Sequence, residues 1–246
     1  MDIVSFNHRK HCNSYLTMKG DTDMNNETML KRLLDIQIGD GSTMDYSKFR
    51  QLIEDLEADI RTDNNKASGN GNLAKLAKAI FKTAPKFQKL MQYSHIEDGI
   101  QFILDGYRIA GFYEHIDIPD FDACKEHDNL PPKWFDVSKI INSIEYDDER
   151  PLQLPTIGQL KADIKIAKAG KPRGVSVMWR FENGPCVNAQ FLLEFMEAYP
   201  DIKIYASVNK PMVSPLYVSA EKGMGILLPI HMKHELDAGI HTNFDN

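Results

Sequence analysis

The chain has 246 residues, of which 42% are hydrophobic and 26% are charged, a composition typical of a globular protein with a buried core. No apolar run approaches the roughly 20 residues that a membrane-spanning helix requires, and the opening residues MDIVSFNHRKHC hold no apolar signal segment. Three cysteines, an odd number, favour reduced thiols over a disulfide framework. The composition excludes disorder as the main state and predicts a cytoplasmic protein with no membrane partner.

Residues 1–70 predict a helical module that ends in a linker. Apolar residues recur at helical spacing in two segments, Glu27 to Ile36 and Tyr46 to Arg61. The stretch Thr62 to Asn72 is polar and contains glycine, so we interpret it as the linker. A domain boundary near residue 70 follows.

A lysine-striped helix is predicted directly after this boundary, from about Leu73 to Thr83, with Pro85 ending or kinking it. Apolar residues fall on one side of this helix and lysines on the other, because residues three and four apart share a face. The lysine stripe comprises Lys75, Lys78 and Lys82. The helix is therefore expected to pack on one face and to present a basic surface on the other.

The next segments predict a hairpin and a short helix. Gly99 to Tyr113 reads as two strands joined at Asp105-Gly106, a dipeptide typical of tight hairpins. Asp136 then begins a short helix whose apolar residues point inward.

The second half predicts a similar order of elements. Thr156 can cap a second lysine-striped helix, and Asn188 can cap a more apolar one. The second stripe comprises Lys161, Lys165 and Lys168. Strands are predicted at Val175 to Phe181, Ile202 to Ser207, Leu216 to Ser219 and Gly225 to Ile230. The order suggests an internal duplication of a helix–strand–helix–strand unit.

The charge distribution indicates duplex DNA as a partner. A net charge of -6 argues against indiscriminate coating of nucleic acid, but the charge is uneven. Asn64 to Ile96 and Ile164 to Phe181 contain no acidic residue; the first window includes the stripe of Lys75, Lys78 and Lys82, and the second includes Lys165 and Lys168. Lysines at helical spacing can contact several phosphates of one duplex. A solvated helix face gives the same pattern, so this alternative stays open.

The sequence predicts a binding protein rather than an enzyme, because it lacks a Gly-rich phosphate loop, a G-x-S-x-G elbow and an H-E-x-x-H motif. We expect no cofactor and no metal. Two alternatives remain: carboxylates between Asp117 and Asp128 could hold magnesium for phosphodiester hydrolysis, and two His/Cys groups have metal-ligand spacing. These groups are His8, His11 and Cys12, and Cys124 with His127.

Two segments resemble the bacterial DNA polymerase sliding clamp, the beta subunit. Leu104 to Ala110 (LDGYRIA) is similar to the clamp's Asp-Gly-His-Arg-Leu-Ala element, with Tyr107 in place of the usual histidine. Val187 to Met232 is similar to the end of the clamp: a capped helix, three strands and a terminal apolar-apolar-Pro-apolar motif. His231 stands where the clamp usually has arginine, and residues 1–70 match nothing in the family.

The resemblance implies an apolar pocket that captures short peptides of polymerases and loaders. In the family the two elements come from adjacent domains and together build that pocket. One wall would be Gly106, Tyr107, Arg108 and Ile109, and the other Leu227, Leu228 and Pro229. The lysine-striped helices would match those that line the clamp's central hole. For the pocket residues an alternative stays open: Ile109, Leu227 and Leu228 could equally belong to the core of the strands, and Arg108 could be a surface charge.

We therefore predict an α+β protein with clamp-like antiparallel sheets, helices on one face and a helical N-terminal module. The predicted parts are residues 1–70, two clamp-like units at 71–146 and 147–236, and a tail at 237–246. The predicted function is that of a clamp-like accessory factor, which binds duplex DNA and a replication protein's clamp-binding peptide. A homo-oligomer is left open, and the short units suggest a phage or mobile-element protein. The alternative is a protein-interaction or regulatory factor that encircles nothing.

Overall fold

The computed structural model describes residues 46–126, 128, 130–169, 176–182 and 184–230. The chain divides into two compact units, Met1–Ala67 and Ser68–Asn246. In the first unit the described part is a single helix, α1 (Tyr46–Ala67). The helix predicted at Glu27 to Ile36 lies outside the described residues.

Helix α1 continues through residues that were predicted to belong to a linker. The Thr62 hydroxyl donates to the carbonyl of Ala58, and Lys66 pairs with Asp63 at 3.1 Å, one turn away. These polar side chains find partners on the helix itself, so a polar composition does not end it here. The first half of the predicted linker, up to Ala67, is therefore helical.

The second unit contains five further helices and eight strands among its described residues. The helices are α2 (Gly71–Thr83), α3 (Phe121–Cys124), α4 (Val137–Asn142), α5 (Ile157–Ala169) and α6 (Ala189–Ala198), with a 3-10 helix at Lys89–Gln92. The strands are β1 (His95–Glu97), β2 (Ile100–Leu104), β3 (Arg108–Phe112), β4 (Met178–Arg180), β5 (Cys186–Asn188), β6 (Lys203–Tyr205), β7 (Leu216–Ala220) and β8 (Gly223–Leu227).

Side-chain caps start the helices where the sequence predicts them. Asp136 accepts from the backbone N–H of Lys139 at 3.0 Å, and Asn188 accepts from that of Gln190 at 2.9 Å. The Thr156 hydroxyl accepts from the N–H of Gln159 at 3.2 Å. These bonds satisfy donors that have no partner within a first helical turn, so all three predicted caps are confirmed.

Six strands form one antiparallel sheet in the order β1-β2-β3-β8-β7-β6, and β4 pairs with β5 separately. Helix α2 precedes the first three strands and α6 the last three, so two helix-plus-three-strand halves meet at β3 and β8. The predicted helix–strand–helix–strand repeat is therefore wrong about which elements repeat. Helix α2 corresponds to α6, because each is followed by three strands of the sheet, whereas no strand of this sheet directly follows α4.

One face of the sheet is covered by the long helices. Residues of α2, α5 and α6 share a buried cluster with alternate residues of the strands, among them Ile103, Ala110, Val218 and Leu227. The alternation follows the two-residue period of a strand. The predicted α+β class with antiparallel strands is thus confirmed; helices were predicted on one face only, and α2, α5 and α6 lie on this one.

The opposite face is covered as well, by the connection between β3 and α5. Short helices α3 and α4 contribute Phe121 and Val137 to a second buried cluster, with Trp134 from the loop between them. Phe102 and Ile226 are among the strand residues that meet it. Both faces of the sheet are therefore buried. None of the helices in the described ranges is long and apolar enough to span a bilayer.

Candidate nucleic-acid interface and peptide pocket

The two segments that resemble the clamp lie side by side in the sheet. Arg108 pairs with Leu227 in the register of β3 and β8, and the N–H of Leu228 donates to the carbonyl of Tyr107 at 2.9 Å. Residues separated by more than a hundred positions along the chain thus adjoin where β3 begins and β8 ends, in the middle of the sheet.

The hairpin turn between β2 and β3 forms one boundary of this region. Asp105 and Arg108 close the turn, and Gly106 is its first central residue, with φ of 85°. A positive φ at that position is favourable only for glycine. The Asp105 carboxylate accepts from the N–H groups of Tyr107 and Arg108, each at 3.0 Å, which fixes the turn.

Arg108 is buried, with 2% of its surface exposed, and does not line an open pocket. Its guanidinium donates to Asp105 at 2.9 Å, to the Thr83 hydroxyl at 2.9 Å and to the Glu194 carboxylate. It also stacks over the ring of Phe191, 4.0 Å from the centroid. A buried charge needs such partners, so its role here is to connect α2, β3 and α6.

The other predicted pocket residues divide into buried and exposed groups. Ile109 and Leu227 are buried in different clusters, on opposite faces of the sheet. Tyr107 is 58% exposed and Leu228 40% exposed, while Pro229 is half-buried. The surface that a peptide could reach therefore consists of Gly106, Tyr107, Leu228 and Pro229. Phe191, which sequence reasoning missed, lies beside Tyr107 with ring centroids 6.3 Å apart.

The lysine stripe of α2 is exposed. Lys75, Lys78 and Lys82 face solvent, and Lys75 donates to Asn72 at 3.4 Å. The buried residues of α2 are Leu73, Leu76, Ala77 and Ile80. The predicted separation of a basic and an apolar side is confirmed for this helix.

The lysine stripe of α5 is exposed but partly engaged by α6. Lys161 pairs with Glu197 at 2.6 Å, and Lys168 donates to Gln190 at 3.3 Å. Lys165 faces solvent. The two stripes are thus not equivalent, because α6 supplies one carboxylate, Glu197, and one amide, Gln190, to the stripe of α5.

A groove of about 320 Å³ lies between the two lysine-striped helices. Lys75 of α2 and Lys161 of α5 border it, together with two carboxylates of α6, Glu194 and Glu197. Carboxylates repel phosphate, so they weaken any duplex contact that would span both helices. No sequence signal placed α6 between the stripes; the tertiary fold brings them together.

Comparisons with known proteins give a likeness among solved structures. No family model matches the sequence, and no curated protein matches it. Among solved structures the chain is similar to the beta subunit of DNA polymerase III from Thermotoga maritima, with 13% sequence identity and a TM-score of 0.41. The match covers 66% of this chain and 64% of that subunit.

The acidic segment between β3 and α4 is engaged in local structure. Asp120 caps α3, Asp122 contacts His95 at 3.0 Å and Lys125 at 3.0 Å, and Asp128 accepts from the Tyr93 hydroxyl at 2.6 Å. In the described part of the chain no three His, Cys, Asp or Glu residues are grouped to hold a metal ion. His8, His11, Cys12, His127 and His231 lie outside it.

Proposed function

We propose that the chain is a clamp-like accessory factor that contacts duplex DNA and holds a short peptide of a replication protein, without catalysis. The observation that carries this proposal is the pairing of β3 with β8, which joins the two clamp-like sequence elements in one sheet. Their exposed members Tyr107 and Leu228, with the half-buried Pro229, supply an apolar surface, and α2 supplies a free basic stripe.

The DNA contact we propose rests mainly on α2. Its lysines are sequence-independent phosphate ligands, so binding should weaken steeply as salt rises. We expect Lys78→Glu with Lys82→Glu to lower duplex affinity at least about tenfold and to reduce the salt slope by about two, one per lost phosphate contact. Fluorescence anisotropy of a labelled duplex at several salt concentrations measures both.

The matched control makes the same charge change elsewhere. Lys203→Glu with Lys210→Glu alters β6 and the loop after it, where both lysines are exposed. If this control lowers affinity as much as the α2 variant, net charge alone explains binding and the α2 interface is wrong.

The peptide contact is tested separately with a labelled clamp-binding peptide. We expect saturable micromolar binding that Tyr107→Ala with Leu228→Asp abolishes, because these side chains form the reachable apolar surface. Val213→Asp, at an exposed apolar position in the β6–β7 loop, is the control. Arg108 is unsuitable for this test, since replacing it would disturb the buried network.

A second candidate is a regulatory or interaction factor that encircles nothing, and the sheet edges favour it. Beside β6, the carbonyl of Ile204 already accepts from the N–H of Leu152 at 2.7 Å. Just before β1, Ser94 exchanges backbone bonds with Pro119 and Phe121, each at 2.7 Å. Edge strands whose backbone groups are already bonded in this way have fewer free N–H and C=O groups with which to pair with a second copy of the chain.

Retention on DNA distinguishes the two candidates. A protein that encircles the duplex stays on a closed circle and leaves a linear molecule from its ends, whereas a protein that binds one side dissociates equally from both. Equal dissociation, with peptide binding intact, would favour the non-encircling factor.

A further inference from the structure

The segment that follows α2 is a turn held at both ends. The N–H of Gln88 donates to the carbonyl of Pro85 at 2.9 Å, and the N–H of Met91 donates to that of Gln88 at 3.0 Å. The indole of Trp134 donates to the carbonyl of Leu90 at 3.0 Å. These bonds fix the tip of the turn relative to the sheet.

Phe87 occupies the tip and is 83% exposed. The apolar residues that follow it, Leu90 and Met91, pack against the second buried cluster. An isolated exposed apolar residue is common on protein surfaces, so exposure by itself implies nothing. The surroundings of Phe87 are what distinguish it.

Four lysines of this region are exposed and have no acidic partner. Lys78 and Lys82 of α2 are followed by Lys86 and Lys89, which flank Phe87 in the turn. Among the described residues no carboxylate lies within ion-pair distance of these four. The sequence from Asn64 to Ile96 also contains no acidic residue. An aromatic ring thus projects from a surface of free positive charge.

We propose that Phe87, with Lys86 and Lys89, binds the unpaired bases of a single strand that continues from the duplex held by α2. Lysines neutralise the phosphates, and a phenylalanine ring stacks on a base of any identity. This inference rests on the proposed duplex contact and adds the class of substrate, a junction between double-stranded and single-stranded DNA. A membrane surface fits less well, because interfacial binding requires a continuous apolar face and this turn exposes one ring.

The test compares two labelled DNA substrates with the full chain. One is a blunt duplex, and the other is the same duplex extended on one strand by an unpaired tail. We expect wild-type protein to bind the tailed substrate more tightly, and Phe87→Leu to reduce that affinity about tenfold, towards that of the blunt duplex. Phe87→Trp should retain the preference, because it keeps an aromatic face. Val208→Ala, at another exposed apolar position, is the control.

The outcomes separate this inference from the proposed function. If Phe87→Leu binds the tailed substrate like wild type, while Lys78→Glu with Lys82→Glu still weakens the blunt duplex, the inference is wrong and the duplex interface stands. If wild type binds neither substrate, both are wrong. If phosphatidylserine vesicles bind in a Phe87-dependent manner and the tailed DNA does not, the occupant is a membrane and the inference is overturned.

Discussion

Arg108 lies where α2 ends, β3 begins and α6 passes, and its guanidinium contacts Thr83 of α2, Asp105 of the hairpin turn and Glu194 of α6. Asp105 and Thr83 are also bonded to one another, at 2.7 Å, so the network is closed on itself. The Asp105 side chain is fully buried and therefore depends on these donors. Truncating Arg108 would leave a buried carboxylate without its cation, which costs far more than losing an exposed pair.

At this scale we predict that Arg108→Ala lowers the free energy of unfolding by about 3–5 kcal/mol, as other broken buried pairs do. Arg108→Lys should recover only part of this lost stability, because an ammonium keeps the charge but cannot reproduce the guanidinium fork. Urea unfolding measures both. Arg150→Ala, which removes an exposed pair with Asp147, should change stability by less than about 0.5 kcal/mol. Equal effects at the two arginines would contradict the structural role of Arg108.

Helix α6 approaches the sheet closely because β8 carries glycines beneath it. A Cβ on Gly225 would lie 2.6 Å from the carbonyl oxygen of Ile109 and 2.7 Å from the Phe195 ring. A Cβ on Gly223 would meet Tyr199, whose hydroxyl donates to the carbonyl of Gly111 at 3.1 Å. The helix is thus positioned by the absence of side chains at two strand positions.

We predict that Gly225→Ala destabilises the protein by about 1–3 kcal/mol, since the added methyl meets backbone that cannot move independently. Gly158→Ala is the matched control: it lies in α5 and nothing is within 4 Å of the added Cβ. That variant should be unchanged or slightly more stable, because alanine favours a helix. Thermal or urea unfolding measures the stability of both variants, and equal changes in Gly225→Ala and Gly158→Ala would refute the prediction.

Helix α6 also sets the charge between the lysine stripes. Because Glu197 pairs with Lys161, we predict that Glu197→Gln releases this lysine and raises duplex affinity on the order of a few-fold at low salt. Glu221→Gln, in the exposed turn between β7 and β8, makes the same charge change away from the helices. An equal gain in the control variant would show that only net charge matters.

At the scale of the whole molecule, burial of both sheet faces places tyrosines in apolar surroundings. Burial raises the pKa of Tyr199 and of Tyr217 above the ordinary value of 10.0, because it disfavours the charged phenolate; nearby tyrosines add to the effect. Tyr146 stacks on Tyr217 with ring centroids 4.3 Å apart. In the folded state both hydroxyls therefore keep their protons above pH 10, while unfolded chains lose them.

The stability of the protein should consequently decline in alkali. Above about pH 10 the unfolded state binds fewer protons than the folded state, so each raised tyrosine pKa lowers the free energy of unfolding by up to about 1.4 kcal/mol per pH unit. Urea midpoints between pH 8 and about 11.5 should fall for wild type and fall less for Tyr199→Phe. Parallel curves for the two proteins would exclude Tyr199 as a contributor.

Local patterns in the sequence were sufficient for several features. Helical spacing placed α2, α5 and α6, because an apolar stripe needs a core, and capping residues marked the starts of α5 and α6, because a side-chain acceptor satisfies donors of the first turn. The Asp105-Gly106 pair marked the β2–β3 hairpin, because its turn requires a positive φ. The exposed lysines of α2 also followed from spacing. Short strands such as β1 and β5 carried no comparable signal and were missed.

The features that the sequence did not predict depend on contacts between residues that are far apart in the chain. The pairing of β3 with β8, the contact of Arg108 with Glu194 and the position of α6 beside α2 all join segments more than eighty residues apart, and a pattern of local spacing contains no information about such neighbours. The sequence by itself determined which faces are apolar and which are basic, because that depends on periodicity alone. Only the tertiary structure decided which charges remain free, because a lysine is neutralised by whichever carboxylate the fold brings beside it.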